Sequence, residues 1–248
     1  MKQKSPFLLV PVVLLSLAIV VVVALRADLP TRLAALTERG LRMVTGREAA
    51  APKVEFLAPA ERALLDEVNY ARAHPQEYAA FVEQLKQTAR GNQIKIGAKT
   101  YTLQEGLGVL DEAVNFLRAQ RPVAPLNAAR GLCAGARDHV NDLGLTGETG
   151  HRGSDGSLPE QRIERYGSWQ TTVGESIAYN SGDAREAVVG MIIDDGVPTR
   201  GHRLNIFNPA FAVAGVAWGP PTQHGLMCVI TYAGGYADKG AGAAAYRR

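Results

Sequence analysis

The chain has 248 residues, 46% of them apolar and 21% charged, which is enough apolar material for one large or two small cores and excludes a wholly disordered protein. Its formal charge of +3 is concentrated at the front: residues 1–58 hold eight Lys/Arg against four Asp/Glu, so the remainder is close to neutral. Phosphate binding needs a clustered excess of Lys and Arg, so nucleic acid is excluded as the main partner.

Lys2 and Lys4 precede an uncharged run over residues 7–25, rich in Val, Leu and Ile. Nineteen residues in a helix extend about 28 Å, close to the thickness of a bilayer's hydrocarbon core. The run is therefore predicted to enter the membrane, with its basic end held in the cytoplasm and the rest of the chain sent outside. Its length favours an uncleaved signal anchor, while Val22-Val23-Ala24 offers a cleavage site for a signal peptide. Either outcome gives an extracytoplasmic protein, membrane-anchored or secreted. Residues 26–58 read as a linker or stalk containing a short helix at 31–44.

The globular body begins at residue 59. Leu64, Leu65, Val68 and Ala71 recur at helical spacing, Pro59 suits a first turn, and His74-Pro75 predicts a break. A second helix is expected at 75–88 from Tyr78, Phe81, Val82 and Leu85. Residues 89–106 read as an open loop with a short strand at 100–103, followed by a helix at 111–120. The next helix, 128–143, carries Leu132, Ala136, His139, Val140 and Leu143 on one stripe, with Asn127 as its expected cap. His139 on that stripe is expected to be a satisfied core histidine. A helix near 159–166, a strand at 172–178, a helix at 183–193 and strands at 212–218 and 226–232 complete the order. Irregular alternation predicts an α+β fold, and no phosphate-binding glycine loop follows a strand.

Glycines crowd residues 144–156, so His151-Arg-Gly-Ser154-Asp155-Gly lies in a loop. Further on stand Gly174-Glu175-Ser176-Ile-Ala, Asp194-Asp195 and Gly201-His202-Arg203. Two imidazoles and several carboxylates beside turn residues suit either a divalent-metal site, with zinc as the favoured ion, or a set of buried groups that satisfy one another. Ser154 and Asp155 are too close in sequence to His151 for a hydrolase triad, and neither a G-x-S-x-G nor an HExxH motif is present. Arg200 and Arg203 are expected to be solvated or paired with carboxylates, and the two tryptophans to fill core or rim. The cysteines, Cys133 and Cys228, form an even pair: outside the cytoplasm they are expected to be bridged, closing a loop of about 95 residues worth about 4–5 kcal/mol, or else to be buried thiols.

Taken in order, four segments resemble the CAP superfamily, the SCP-domain group of cysteine-rich secretory proteins, antigen 5 and pathogenesis-related 1, in its bacterial extracytoplasmic branch. They are Leu64-Leu65 with Asn69 and Arg72, His151-x-x-Ser-Asp-Gly, Gly174-Glu175-x-Ile-Ala, and Gly201-His202-Arg203-x-Asn205-Ile206. The resemblance implies a three-layer α–β–α sandwich over residues 59–236, followed by a flexible tail at 237–248. It also implies a cleft holding His151, Glu175, Asp194 and His202 as a metal-ligand set, supported by Ser154, Asp155, Ser176 and Arg203. Asp194 stands where many relatives carry the longer Glu, and Ser176 stands in place of Asn. The resemblance implies an extracytoplasmic binding module for a lipid, cell-wall component or protein partner. The alternative is a metal-dependent hydrolase of a peptide, ester or glycan, with Glu175 as general base.

Overall fold

The computed structural model describes residues 56–222 and 225–240. The expected membrane segment, most of the stalk including its helix at 31–44, and most of the tail lie outside them. Among the described residues no helix is long and apolar enough to cross a membrane.

The body opens with α1 (Pro59–Ala73) and α2 (Pro75–Gln87). They meet at His74 because proline disfavours helical backbone in the residue before it, yet itself suits a first turn. Leu64, Leu65, Val68 and Ala71 are buried, as their spacing predicted. The following segment is a hairpin: β1 (Gln93–Ile96) pairs antiparallel with β2 (Lys99–Thr102). Its first strand was not expected: Gln93-Ile-Lys-Ile alternates as a strand does, but over only four residues and inside a polar loop. Helix α3 (Gly108–Ala119) follows, then the two-residue β3 (Asn127–Ala128) and α4 (Arg130–Thr146). Asn127 therefore does not cap α4. It pairs in parallel with Val213, and Ala129 takes the cap position without a side-chain bond.

The remaining elements are α5 (Pro159–Glu164), β4 (Gly167–Tyr179), α6 (Ala184–Ile193), α7 (Gly201–Phe207), β5 (Val213–Thr222) and β6 (Gly225–Asp238). Helix α6 starts on Asp183, whose carboxylate accepts from Glu186 N–H at 2.8 Å. Helix α7, which carries His202, had no helical pattern long enough to be expected. The large sheet has the order β3-β5-β6-β4 and is antiparallel except at β3. Strand β4 is thus an edge strand, and β6 runs on to Asp238, two residues past the expected domain end.

The pleat sorts the core by alternate residues. Ile177, Ala217, Met227 and Val229 meet Ala136, Val140 and Leu143 of α4 on one face. On the other face Phe211 stacks on Tyr232 at 5.2 Å, and Asn205 of α7 bonds Ser176. The result is a mixed helix-and-sheet fold with helices on both faces of the sheet. Helix α4 lies so close to β5 that a Cβ on Gly215 would sit 2.0 Å from the Leu132 carbonyl carbon, so only glycine fits there.

This sorting also removes the expected disulfide. Cys133 and Cys228 are both buried and free. The Cys133 sulfur accepts Val216 N–H at the border of β5, whereas Cys228 lies one strand further in. The neighbours of Cys228, Met227 and Val229, face α4, so its own side chain points to the opposite face of the sheet. Burial pushes the Cys133 thiol up to about 11 and the Cys228 thiol to about 12, so both stay protonated.

Arg72 joins the second layer together. Its wholly buried guanidinium donates to the carbonyls of Ala124 (2.8 Å), Ile206 (2.6 Å), Asn208 (3.1 Å) and Phe211 (3.2 Å). Asn69, one turn earlier, clamps Leu126 through both its N–H and its carbonyl. Replacing Arg72 by Met takes the donor from four carbonyls, of which those of Ile206 and Phe211 are in buried bonds, and is predicted to cost at least about 3 kcal/mol in urea unfolding. The exposed Arg90→Met control is expected to stay within about 0.5 kcal/mol of the parent.

Candidate functional site

Strand β4 delivers the central acid. Glu175 lies on the face shared with α4 and α5, and its side chain is 2% exposed. A carboxylate so removed from water needs compensation, and it has three cationic or imidazole neighbours. Arg162 of α5 donates through Nη2 to Glu175 Oε2 at 2.8 Å, and His151 Nδ1 lies 2.9 Å from Oε1. The ring of His139 on α4 stands 3.9 Å from the same Oε1.

The loop that carries His151 is fastened by the groups around this acid. Arg162 Nη1 donates to the carbonyls of His151 (3.0 Å) and Ser157 (2.9 Å). His139 Nε2 donates to Gly150 O at 2.8 Å, and Tyr179 Oη accepts Gly150 N–H at 2.9 Å. With Nε2 donating to a carbonyl, His139 Nδ1 is left as a buried atom with no partner among the described residues. Burial holds the His139 pKa below the ordinary value. Glu175 opposes that shift and Arg162 adds to it.

The second acid makes a joint between two helices. Asp194 ends α6 in the left-handed conformation (φ 57°), and its Oδ2 accepts the His202 N–H at 2.9 Å at the start of α7. Its Oδ1 lies 2.7 Å from His202 Nδ1. The shorter acid reaches its histidine because the segment 195–200 folds the start of α7 back onto the end of α6. Asp194 is 3% exposed and the His202 side chain 23% exposed, so the ring is held at its base and open at its tip.

Both pairs follow one chemical pattern. A carboxylate against Nδ1 fixes the ring with its proton on that atom and leaves Nε2 as a bare lone pair. Neither Nε2 makes a hydrogen bond to the described residues, and the His151 side chain is half exposed. The two pairs are tied to one stretch of strand: Asn205, three residues after His202, donates through Nδ2 to the Glu175 carbonyl (3.0 Å) and to Ser176 Oγ (3.3 Å).

The structure thus joins His151 to Glu175 and Asp194 to His202, and roots both pairs at Glu175-Ser176. Among the described residues no three His, Cys, Asp or Glu side chains are grouped to hold a metal ion. The acids are used in orienting rings. Of the expected supporting residues, Ser176 lies in the junction. Ser154 bonds Asp142, and Asp155 bonds Arg165, so these two staple the loop away from the rings. Neither forms a triad with His151. Arg203 is buried, donating to the carbonyls of Ile192 (2.5 Å) and Ile193 (2.8 Å) and to Glu112. Arg200 pairs with Glu105 and Glu112, and this pairing holds the Glu105 carboxyl down at about 2. Both arginines are therefore paired, as expected. Arg162 was not anticipated: in sequence it is one of several charges on a short helix, and only the buried Ile163 beside it hints at an inward face.

Glu175→Gln leaves the Arg162 charge buried without its counter-ion and is predicted to cost about 3–5 kcal/mol in denaturant unfolding. A second prediction concerns pH. His139 binds its proton less readily folded than unfolded, so stability rises with pH up to the ordinary value of 6.5 and falls as pH drops below it. Unfolding free energies measured from pH 5 to 7.5 should show this slope, and His139→Gln, which keeps a donor for Gly150, should flatten it.

The family model described as the cysteine-rich secretory protein family, CAP, matches residues 112–232. No curated protein matches the chain at a significant level. Among solved structures, an extracellular protein containing a SCP domain from Bacillus anthracis str. Ames is 19% identical with a TM-score of 0.39. The match covers 53% of this chain and only 39% of that one. An outer surface protein from Borrelia burgdorferi is 19% identical with a TM-score of 0.40, covering 58% of this chain and 98% of its own.

Proposed function

We propose that the chain, whose residues 112–232 match the CAP family model, is an exported binding module that presents two acid-oriented histidines beside the edge strand β4. The helices on both faces of the sheet fit the three-layer sandwich that such a domain implies. The basic, apolar start of the chain supports delivery across a membrane, with residues 7–25 as anchor or removed leader.

The observation that carries the reading is the pairing of each imidazole Nδ1 with a buried carboxylate. This pairing makes the two Nε2 atoms the available ligands. His151 and His202 would hold a divalent ion such as zinc, with Glu175 and Asp194 setting ring orientation and basicity from behind. Such an ion would supply a Lewis-acidic point for a lipid head group, a cell-wall component or a protein side chain. The same pairing favours a binder over a hydrolase. Glu175 is 2% exposed, with Arg162 on one oxygen and His151 on the other, so it is shielded from the incoming water that a general base must reach.

Calorimetric zinc titration of the full chain in detergent tests this. The wild type is predicted to bind zinc, His151→Ala and His202→Ala to weaken binding more than 100-fold, and Asp194→Asn to weaken it about 10–100-fold. Zinc affinity unchanged in either histidine variant, or zinc-dependent cleavage of peptide, ester or glycan substrates, would overturn the binder reading.

A further inference from the structure

Strand β4 is the edge of the large sheet, and its outer side keeps backbone groups that the sheet does not use. Asn180 N–H donates to Leu226 O at 2.7 Å, so Gly174, Ser176 and Ala178, in step with it, turn their backbone groups to β6. Val173 and Glu175 turn theirs away, and Asn205 takes the Glu175 carbonyl from that outer side. The Val173 N–H and C=O and the Glu175 N–H have no partner among the described residues.

A pocket opens beside these groups. The ladder to β6 breaks between Gln170 and Val173, and Thr171 takes φ 70°, a left-handed conformation that a β-branched residue rarely enters. Gly234 makes room for it: a Cβ there would stand 2.8 Å from Thr171 Cβ. The bulge and the start of α5 flank a space of about 390 Å³, within the size range of ligand sites, with Glu160, Trp169, Thr171, Val173 and Glu175 in its lining. Neither His151 nor His202 lines it, and the Glu175 carboxylate is committed to Arg162 and His151.

The lining selects a cation. Trp169 Nε1 donates to Glu164 at 2.9 Å, which fixes the indole in place. No Lys or Arg lines the pocket, and the Glu160 carboxylate has no partner among the described residues. An indole and an unpaired carboxylate together suit a lysine or arginine side chain. The bulge then narrows the kind of partner. It ends regular pairing at Val173, so β4 of a second copy finds too short an edge for a continuous sheet, whereas a few residues of an extended segment can pair there.

We propose that this edge binds an extended segment of a partner protein by short strand addition at Val173 and Glu175, with a lysine or arginine of that segment in the pocket lined by Trp169 and Glu160. The proposal names a protein as the partner within the binding reading above, and it rests on the edge strand rather than on a metal.

Metal-free full-length protein in detergent and EDTA is titrated with the capped peptide acetyl-Val-Thr-Arg-Thr-Val-amide and followed by amide and indole NMR. The Val173 and Glu175 amides and the Trp169 indole should shift together. Replacing the peptide's arginine by glutamate should weaken binding at least about ten-fold, and Glu160→Gln should remove most of that preference. N-methylation at alternate peptide amides should abolish binding in one set of positions and spare it in the other, as strand pairing requires. Because the titration holds no metal, its result is independent of whether zinc binds, and Glu160→Gln should leave zinc affinity as in the wild type. No shift at Val173 and Glu175, equal binding of the arginine and glutamate peptides, or indifference to both methylations would overturn the proposal. So would shifts of these amides on diluting the protein alone, which would make a second copy the occupant.

Discussion

The arrangement depends on one buried carboxylate. Glu175 sits where α4, α5, the histidine loop and β4 converge, and its burial is tolerable because Arg162 supplies a fixed opposite charge and His151 a ring donor. The same guanidinium reaches the backbone of the loop, so the acid, the arginine and the loop are ordered together. On the far side of the strand, Asn205 takes the carbonyl of the same residue. Both histidine-bearing segments are therefore anchored at residue 175, one through its carboxylate and the other through its backbone carbonyl.

Asp194 solves a related problem with fewer parts. It closes α6, caps α7 and fixes the His202 ring with one carboxylate. Aspartate is one of the non-glycine residues that enters the left-handed region readily, because its short side chain can bond nearby backbone, and a longer acid would lose that fit. Arg203 reinforces the joint by donating to the last carbonyls of α6. Arg72 then ties α1 to the backbone after α7. Each histidine is thus carried by a loop or short helix whose position is set by a buried arginine, which suits rings that must keep one direction while their tips stay open to solvent.

Much of the fold was legible because helices write their buried face into the spacing of apolar residues. Leu64, Leu65, Val68 and Ala71 announced α1, and Leu132, Ala136, Val140 and Leu143 announced α4. Features set by long-range contact were not legible. Strand β1 depends on its hairpin partner, and Asn127 was drawn from a helix cap into a strand by pairing with Val213. The cysteines looked like a bridge in a one-dimensional count, yet their faces are decided by the pleat and by the strand between them. For the site, the histidines and acids were found through the glycine-flanked segments, but their grouping was not. Sequence order suggests four equal ligands, whereas the separate positions of Arg162 and Asn205 commit the acids to orienting the rings. Arg162 carries no local signal, because an arginine that pairs 13 residues away on another element looks like a solvated charge.

The central claim is that buried carboxylates hold the proton of His151 and His202 on Nδ1 and leave Nε2 open. Nitrogen-15 NMR of the imidazoles in metal-free protein at neutral pH reads the tautomer directly. The account predicts that Nδ1 carries the proton in both rings, with the pattern lost in ring 202 when Asp194 is changed to Asn. Rings protonated on Nε2, or exchanging evenly between tautomers, would contradict it.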